Sequence, residues 1–336
     1  MRLSSVKVLV TGATGFLGGK TIELLLKEGH DVVALVRSTS NVEGLPKNIE
    51  VREGDLFDED SLEKAAQDID AVIHFAAYFN FYPRDEELMF RVNIEGTKNL
   101  MNACVGTQVK RFIYCSTTET MGPIRFPPGT EETELRPDYS YGVSKIQAEN
   151  AIREISKDTD LAHIIIRPTG VMGEGDLYVM FEVAEQLYEG KVFALPSDLS
   201  AQFMYTHVDD IVSGFVAALT PMSALNNTFI LCPDEPLSWE EFVEVMTTKL
   251  GVKPPRLRVP RIFAKFGMML LSPVKNRKKN SFFWHGKSVD MMYATRVYSN
   301  EKAKRLLGWT PKVTMVEGFQ RAIDWYFENG FLKKRE

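Results

Sequence analysis

The amino-acid sequence predicts an α/β fold, in which a doubly wound parallel sheet is joined to a smaller C-terminal substrate-binding lobe. Three observations support this fold class. Short apolar runs alternate with helical periodicity through the first half of the chain, a glycine-rich turn follows the first run, and the alternation fades after residue 170. Buried apolar runs joined by helices are typical of a parallel sheet covered on both faces. Ligands bind such sheets beyond the carboxyl ends of the strands.

Six apolar runs in the first half have the length and the β-branched content of strands. They cover residues 6–11, 31–36, 49–52, 70–75, 111–115 and 162–167. Helical periodicity follows at residues 16–28, 61–67, 88–105 and 139–156. Asp58 and Asp60 are candidate caps for the second of these helices. This order of elements builds a parallel sheet with helical crossovers.

Beyond residue 170 the apolar spacing predicts further helices and one more strand. The helices are expected at 179–188, 208–219, 239–250 and 316–328, and the strand at 228–231. Because the glycine-rich turn lies between the first strand and the first helix, as in dinucleotide-binding folds, we predict that residues 1–172 and about 202–232 form a Rossmann domain that binds NAD(P). The remaining residues, about 173–201 and 233–336, form the predicted substrate-binding lobe.

The composition is that of a globular protein with a sizeable core, since 44% of the 336 residues are hydrophobic and 25% are charged. Three widely spaced cysteines form neither a metal motif nor a disulfide framework, which favours a reducing compartment. No run approaches the roughly 18 apolar residues of a membrane span. No secretory leader is visible, so we expect a cytoplasmic protein. The five histidines never pair at ligand spacing, so no metal site is predicted.

A glycine-rich turn follows the first predicted strand, with the sequence Thr-Gly-Ala-Thr-Gly-Phe-Leu-Gly at residues 11–18. Gly12 permits the tight turn, Gly15 lets the backbone approach a pyrophosphate, and Gly18 allows the helix to pack closely on the sheet. The amino terminus of the helix that follows faces the phosphates. Because the motif lies between a strand and a helix of an alternating fold, it predicts a dinucleotide-binding site.

Tyr141 and Lys145 lie four residues apart on the helix predicted at 139–156, so their side chains share one face. A free tyrosine has a pKa of about 10 and is a poor base at neutral pH. We expect the Lys145 ammonium and a positively charged nicotinamide to lower the pKa of Tyr141. The pair therefore predicts proton transfer to or from a substrate oxygen.

The Gly-x-x-Gly-x-x-Gly spacing, together with Tyr-Gly-Val-Ser-Lys at 141–145, strongly resembles the extended short-chain dehydrogenase/reductase superfamily. The likeness covers essentially the whole chain. It includes Gly-Asp-Leu at 54–56, His-Phe-Ala-Ala at 74–77, Asn-Ile-Glu-Gly-Thr at 93–97, Arg-Pro-Thr-Gly-Val at 167–171 and His-Val-Asp-Asp at 207–210. The resemblance implies an NAD(P)-dependent oxidoreductase of the epimerase/dehydratase type. It also implies a homodimer formed through the helices at 88–105 and 139–156.

The family pattern extends the predicted cofactor site beyond the glycine turn. By resemblance, the residues after the third strand flank the adenine, those after the fourth strand contact the ribose and pyrophosphate, and those after the sixth strand lie near the nicotinamide. The predicted cofactor site consists of Gly12, Thr14, Gly15, Phe16, Leu17, Gly18, Arg37, Ser38, Asp55, Leu56, Ala76, Ala77, Tyr141, Lys145, Pro168 and Val171.

The residue that follows the second predicted strand distinguishes NAD from NADP. An acidic residue there would hold the ribose 2′-hydroxyl of NAD, but this chain has Arg37 followed by Ser38. A guanidinium can bind a 2′-phosphate through two hydrogen bonds, and a serine hydroxyl can add a third. NADP is therefore the preferred cofactor and NAD the alternative. A surface arginine without a ligand is the other interpretation of Arg37.

Catalysis also needs a donor that polarises the substrate carbonyl beside Tyr141. In the family this donor is the second hydroxyl residue after the fifth strand, which falls on Thr117 in this chain, with Ser116 as the alternative. We predict that Thr117, Tyr141 and Lys145 are catalytic and that the nicotinamide supplies the hydride chemistry.

Two further segments have predicted roles around this site. The aromatic run at 78–82 is expected to form an apolar pocket wall, with ordinary loop packing as the alternative. His207, Asp209 and Asp210 match family residues that we expect to tie the sheet to the second lobe.

The resemblance leaves three functions open. The first is oxidation of an alcohol or reduction of a ketone, as in the branch of 3β-hydroxysteroid dehydrogenases and dihydroflavonol reductases. The second is nucleotide-sugar epimerisation or dehydration, and the third is NADP sensing by a non-catalytic regulator. An intact set of Thr117, Tyr141 and Lys145 argues against the regulator.

The nucleotide-sugar function lacks its usual residues in this chain. Such enzymes often carry an asparagine just after the sixth strand and an arginine before the His-Val-x-Asp motif. Here residues 167–169 read Arg-Pro-Thr and residues 201–203 read Ala-Gln-Phe. A dehydratase also needs an Asp-Glu pair after the catalytic hydroxyl, where residues 118–120 read Thr-Glu-Thr. Elimination favours a small, apolar ketone or secondary alcohol as the substrate, and we expect no nucleic-acid partner.

One long segment has an unusual charge. Residues 245–289 contain eleven Lys and Arg but no Asp or Glu, although the whole chain has a net charge of −5. Within it, apolar residues at 262–271 precede cations at 275–279 and Phe-Phe-Trp at 282–284. This order suits a helix lying on an anionic membrane surface, so we predict peripheral membrane contact through residues 260–287. A pocket for an anionic substrate and a solvated basic face are the alternatives.

Overall fold

The computed structural model describes residues 5–81, 83–275 and 286–333. Its strands are β1 (Lys7–Thr11), β2 (Asp31–Val36), β3 (Glu50–Glu53), β4 (Ala71–His74), β5 (Arg111–Cys115), β6 (Ala162–Pro168), β7 (Gly170–Met172), β8 (Ala194–Pro196), β9 (Gln202–Phe203), β10 (Tyr205–His207), β11 (Asn227–Leu231), β12 (Leu237–Ser238) and β13 (Leu257–Val259). Its helices are α1 (Phe16–Glu28), α2 (Glu59–Ala65), α3 (Glu86–Phe90), α4 (Gly96–Cys104), α5 (Ser140–Lys157), α6 (Val179–Tyr188), α7 (Val208–Ala217), α8 (Trp239–Leu250), α9 (Arg261–Lys275), α10 (Gly286–Met291), α11 (Glu301–Leu307) and α12 (Met315–Glu328).

Seven strands form one parallel sheet in the order β11-β6-β5-β4-β1-β2-β3. The chain moves outward from β1 to β3 and then returns to place β4 on the other side of β1. The strand order therefore reverses between β1 and β4, where Thr11 is in register with His74. A reversal of this kind opens a crevice at the carboxyl ends of the strands.

Alternate side chains of the sheet enter two separate cores. Val8 and Val10 pack with α1, α7 and α11 on one face, whereas Leu9 packs with α2, α4 and α5 on the other. This alternation follows the two-residue period of a strand. Helices cover both faces of the sheet, so the doubly wound fold class is confirmed.

A third core lies among the helices of the second half. Phe242 of α8 and Phe319 of α12 are buried together with Met180 of α6. Short two-stranded sheets border this core, formed by β7 with β10, β9 with β12 and β8 with β13. The domain boundaries at residues 172 and 232 stay predictions. Within the described ranges, no helix is both long enough and apolar enough to cross a bilayer.

The helix predicted at 88–105 is not one continuous α-helix. A π-helical segment, Arg91–Glu95, joins α3 to α4. Its buried Asn93 accepts a hydrogen bond from the Tyr78 amide and donates to the Ser144 hydroxyl. A local change of helical pitch of this kind is common where a side chain must be re-aimed. Apolar periodicity cannot reveal it, because the segment keeps the same buried face.

The segment before α12 is held to α7 by hydrogen bonds. The Asp210 carboxylate accepts hydrogen bonds from the amides of Lys312 and Val313, each at 2.9 Å. Arg321 of α12 donates to Glu174 and Asp209.

His207 belongs to the same region of the structure. His207 Nε2 lies 2.9 Å from a Glu174 oxygen, and a side-chain nitrogen or oxygen of Glu174, His207 and Asp209 lies within 4.8 Å of each of the other two. Arg321 already binds both of these carboxylates. The contacts agree with the structural role predicted for His207, Asp209 and Asp210.

A fully buried carboxylate fixes α5 against the sheet. Glu149 accepts hydrogen bonds from Arg167 of β6 at 2.8 and 2.6 Å, from the Ser116 hydroxyl at 2.5 Å and from Arg153 at 2.9 Å. Burial opposes the charged form of Glu149, but the bonds from Arg167 and Ser116 outweigh it and lower the pKa of the carboxyl. The bonds from Ser116 and Arg167 to Glu149 therefore join the ends of β5 and β6 to α5.

Replacing this carboxylate should destabilise the fold. Glu149→Gln leaves the buried Arg167 cation without its counterion, which costs about 3–5 kcal/mol in the free energy of unfolding. Urea unfolding measures this change. Glu154→Gln is the matched control, because Glu154 lies exposed on the same helix and should change stability by less than about 0.5 kcal/mol. Equal losses in the two variants would contradict the structural role of Glu149.

Candidate active site

A cleft of about 870 Å³ lies at the carboxyl ends of the sheet strands. The glycine turn at 11–18 lines one end, and aromatic side chains from the second half of the chain line the other. The loops after β1, β2, β4, β5 and β6 all contribute to its walls. Its position at the reversal of strand order is where the fold places ligands.

The glycine turn has the shape of a phosphate cradle. Gly12 has a φ of 65°, and a Cβ there would lie 2.8 Å from the Ala76 amide nitrogen. Gly15 caps α1 without any side-chain hydrogen bond. The first amides of a helix have no partner within the helix, so those of α1 can bind a pyrophosphate. These residues fit a dinucleotide.

A buried histidine holds the two strands that flank this cradle. Thr11 Oγ1 accepts a hydrogen bond from the Ala76 amide and lies 2.6 Å from His74 Nδ1. His74 Nε2 lies 3.0 Å from the Thr97 hydroxyl, which donates to a backbone carbonyl. These bonds fit a neutral imidazole protonated at Nε2. Burial, aided by the Lys145 charge, lowers the pKa of His74 to about 3.

The predicted cofactor residues line the cleft with one exception. Arg37 borders it together with Ser40, whose hydroxyl accepts a hydrogen bond from the Arg37 amide. Ser38, proposed from sequence as a second phosphate ligand, is not among the lining residues. The tight turn after β2 places Ser40, and not Ser38, at the cleft beside Arg37. The other fifteen predicted cofactor residues all contribute to its lining.

The three predicted catalytic residues, Thr117, Tyr141 and Lys145, all line the cleft. Tyr141 and Lys145 come from the first turns of α5, and Thr117 follows β5. The Thr117 oxygen accepts a hydrogen bond from the Glu119 amide at 3.1 Å, which leaves its proton available to a ligand. The alternative, Ser116, is buried and donates to Glu149. Its hydroxyl proton is therefore already used within the protein.

Burial controls the charge of the pair on α5. It raises the pKa of the Tyr141 phenol, and the nearby Cys115 and Glu119 raise it further. Burial also lowers the pKa of Lys145 to about 8. Lys145 Nζ lies 4.1 Å from the ring centroid of Tyr114 and 6.0 Å from that of Tyr141. The protein's own groups therefore favour the neutral phenol, and the effect of Lys145 with a bound nicotinamide on the pKa of Tyr141 stays a prediction.

Aromatic rings surround the Tyr141 phenol. The Phe79 ring packs edge-on against Tyr141 with centroids 4.9 Å apart, and it also contacts Phe81 and Tyr178. The predicted apolar wall is thus present at Phe79 and Phe81, while Tyr82 lies outside the described residues. The substrate end is completed by Val179, Phe203, Met204, Tyr205, Trp239, Met291 and Tyr298.

Polar groups within this apolar end were not found from the sequence. Arg296 is buried and donates to Glu119 at 3.2 Å and to Asp138 at 2.8 Å. Asp176 is also buried, and burial raises the pKa of its carboxyl to about 7. No local motif marks these residues, because Arg296 lies 177 positions from Glu119. Glu149 could have been noticed, since it lies one helical turn after Lys145.

Proteins with recorded functions resemble this chain along most of its length. A 3 beta-hydroxysteroid dehydrogenase/Delta 5-->4-isomerase from Mycobacterium tuberculosis is 27% identical, covering 95% of this chain and 90% of the relative. A UDP-glucose 4-epimerase from Vibrio cholerae is also 27% identical, covering 96% of this chain and 95% of the relative. The chain is thus similar to both a dehydrogenase and an epimerase.

Solved structures share the same fold. The crystal structure of gox2253 has a TM-score of 0.82 and 28% identity, over 98% of this chain and all of that one. The UDP-glucose 4-epimerase of Thermotoga maritima has a TM-score of 0.77 and 22% identity, over 96% and 99%. The family model described as NAD dependent epimerase/dehydratase family matches residues 8–231. The protein belongs to the NAD-dependent epimerase/dehydratase family, as its motifs predict.

Proposed function

We propose that the protein is an NAD(P)-dependent oxidoreductase that interconverts a ketone and a secondary alcohol on a small, apolar substrate. One observation carries the proposal: a single cleft joins the glycine cradle, the Thr117–Tyr141–Lys145 group and an aromatic wall. The similarity to a hydroxysteroid dehydrogenase at 27% identity supports the same reaction class.

Each group of this chain has a distinct role in ketone reduction. The bound nicotinamide supplies the hydride, or accepts it in the reverse direction. Tyr141, neutral because it is buried, donates its proton to the carbonyl oxygen. Thr117 donates a second hydrogen bond to that oxygen and so stabilises its developing charge. Lys145 would hold the nicotinamide ribose.

The charges at the substrate end favour an apolar substrate over a nucleotide sugar. A nucleotide diphosphate needs unpaired cations, but Arg296 already binds two carboxylates. The surrounding surface is formed by side chains such as Phe203, Trp239 and Met291. The epimerase function stays the second candidate, because a UDP-glucose 4-epimerase is equally similar in sequence.

We also propose that the cofactor is NADP. The first residue after β2 is Arg37 and not an acid, and it lies at the edge of the cleft. A cation there favours a ribose 2′-phosphate, whereas an acid would repel it.

Removal of the Tyr141 hydroxyl should abolish turnover and spare cofactor binding. Tyr141→Phe keeps the ring contact with Phe79 but has no proton to donate, so kcat should fall by about 10²–10⁴-fold. The assay follows reduced nicotinamide absorbance with a 3β-hydroxysteroid and, separately, with UDP-glucose. Cofactor affinity, measured by fluorescence titration, is the control. Full activity in Tyr141→Phe would overturn the mechanism.

Arg37 should distinguish the two cofactors. Arg37→Ala removes charged hydrogen bonds to a 2′-phosphate, which should weaken NADP binding by roughly 10–100-fold. NAD binding should change little, since NAD has no such phosphate. Arg305→Ala, an exposed arginine on α11, is the matched control for general charge effects. The NADP preference is refuted if Arg37→Ala binds both nucleotides as tightly as the unaltered protein does.

A further inference from the structure

Helix α9 carries an exposed apolar face that the proposed reaction does not use. Ile262 is 72% exposed, Phe263 65%, Phe266 57% and Leu270 59%. At about 100° per residue these four positions fall within an arc of about 100°, so they form one continuous stripe. We call this stripe, formed by Ile262, Phe263, Phe266 and Leu270, the α9 face.

The opposite flank of α9 holds the helix to the rest of the protein. Arg261 and Lys265 both form ion pairs with Asp290 of α10, at 2.7 and 2.8 Å. Phe193 and Leu257, at the paired strands β8 and β13 that precede α9, are also exposed. These ion pairs connect α9 to α10, while the four side chains of the α9 face are exposed.

The sequence segment that contains α9 is strongly basic. Residues 245–289 contain eleven cations and no acid before Asp290. Lys253 and Arg256 are exposed, and among the described residues neither forms an ion pair. Exposed apolar side chains beside unpaired cations complement the interface of a membrane with anionic headgroups.

Helix α9 is linked to the substrate end of the cleft through α10. Asp290, which binds Arg261 and Lys265, is followed by Met291, and Met291 lines the cleft. A surface held against lipid at α9 would therefore bring that end of the cleft near the bilayer. A substrate that partitions into lipid could then reach the cleft without crossing bulk water.

We propose that the α9 face docks the protein on an anionic membrane surface. The apolar side chains enter the headgroup region, and the neighbouring cations face the anionic lipids. The helix lies on the bilayer and does not cross it. This surface is independent of the reaction, so the docking test can fail while the proposed chemistry stands.

Vesicle co-sedimentation tests the docking directly. The full chain is mixed with phosphatidylcholine vesicles, with and without phosphatidylglycerol, at low and high salt. We expect sedimentation with the anionic vesicles, with weaker binding at high salt. Phe263→Ser with Phe266→Ser should lower the partition coefficient by at least about tenfold. Nucleotide binding by this variant, which is expected to be unchanged, shows that it is folded.

Phe126→Ser is the matched control, because Phe126 is a 78% exposed phenylalanine outside α9. This variant should sediment like the unaltered protein. The proposal is overturned if the unaltered protein stays in the supernatant with anionic vesicles, or if the double serine variant sediments equally well. It is also overturned if the double variant converts a dimer to a monomer in solution while vesicles bind neither form, because a second copy then covers the α9 face.

Discussion

The buried Glu149 carboxylate is the constraint on which the active-site geometry depends. It accepts hydrogen bonds from Arg167 on β6 and from Ser116 directly after β5. Ser116 precedes Thr117, and Glu149 lies one helical turn after Lys145. The Glu149–Arg167 ion pair, with the bond from Ser116, therefore holds the segments that carry Thr117 and Lys145. Burying either the Glu149 carboxylate or the Arg167 guanidinium without its counterion would be very costly. The ion pair therefore keeps α5, β5 and β6 in one arrangement.

Burial also determines the protonation state of Tyr141. Phe79 packs against Tyr141, and burial raises the pKa of the Tyr141 phenol. A neutral phenol is the proton donor that ketone reduction needs. The reverse reaction needs the phenolate, which a positively charged nicotinamide would stabilise. In the proposed reaction the cofactor's charge would therefore shift the protonation of Tyr141 between the two directions.

The sequence was informative wherever the site depends on local spacing. The glycine turn, the Tyr141–Lys145 pair and the strand ends could all be placed because each is a short motif in a regular alternation. The helix near Asn93 was predicted, but its π-helical segment was not, since apolar periodicity does not report pitch. Ser38 does not line the cleft, because the turn after Arg37 places Ser40 there, and its role in cofactor binding stays a prediction. Arg296 and Asp176 were missed because folding alone brings such distant residues into the cleft.

The membrane prediction extended to residues 276–285, which lie outside the described residues, and the predicted homodimer stays a prediction.

Transfer of isotope from the nucleotide tests the central claim most directly. The unaltered protein is incubated with a ketone of the hydroxysteroid class and a reduced nicotinamide dinucleotide that carries deuterium at the transferable position. Mass spectrometry then locates the deuterium in the products. The account predicts one deuterium on the new carbinol carbon for each nucleotide oxidised. It is contradicted if this ketone gains no deuterium while a nucleotide sugar is epimerised with no net oxidation of the nucleotide.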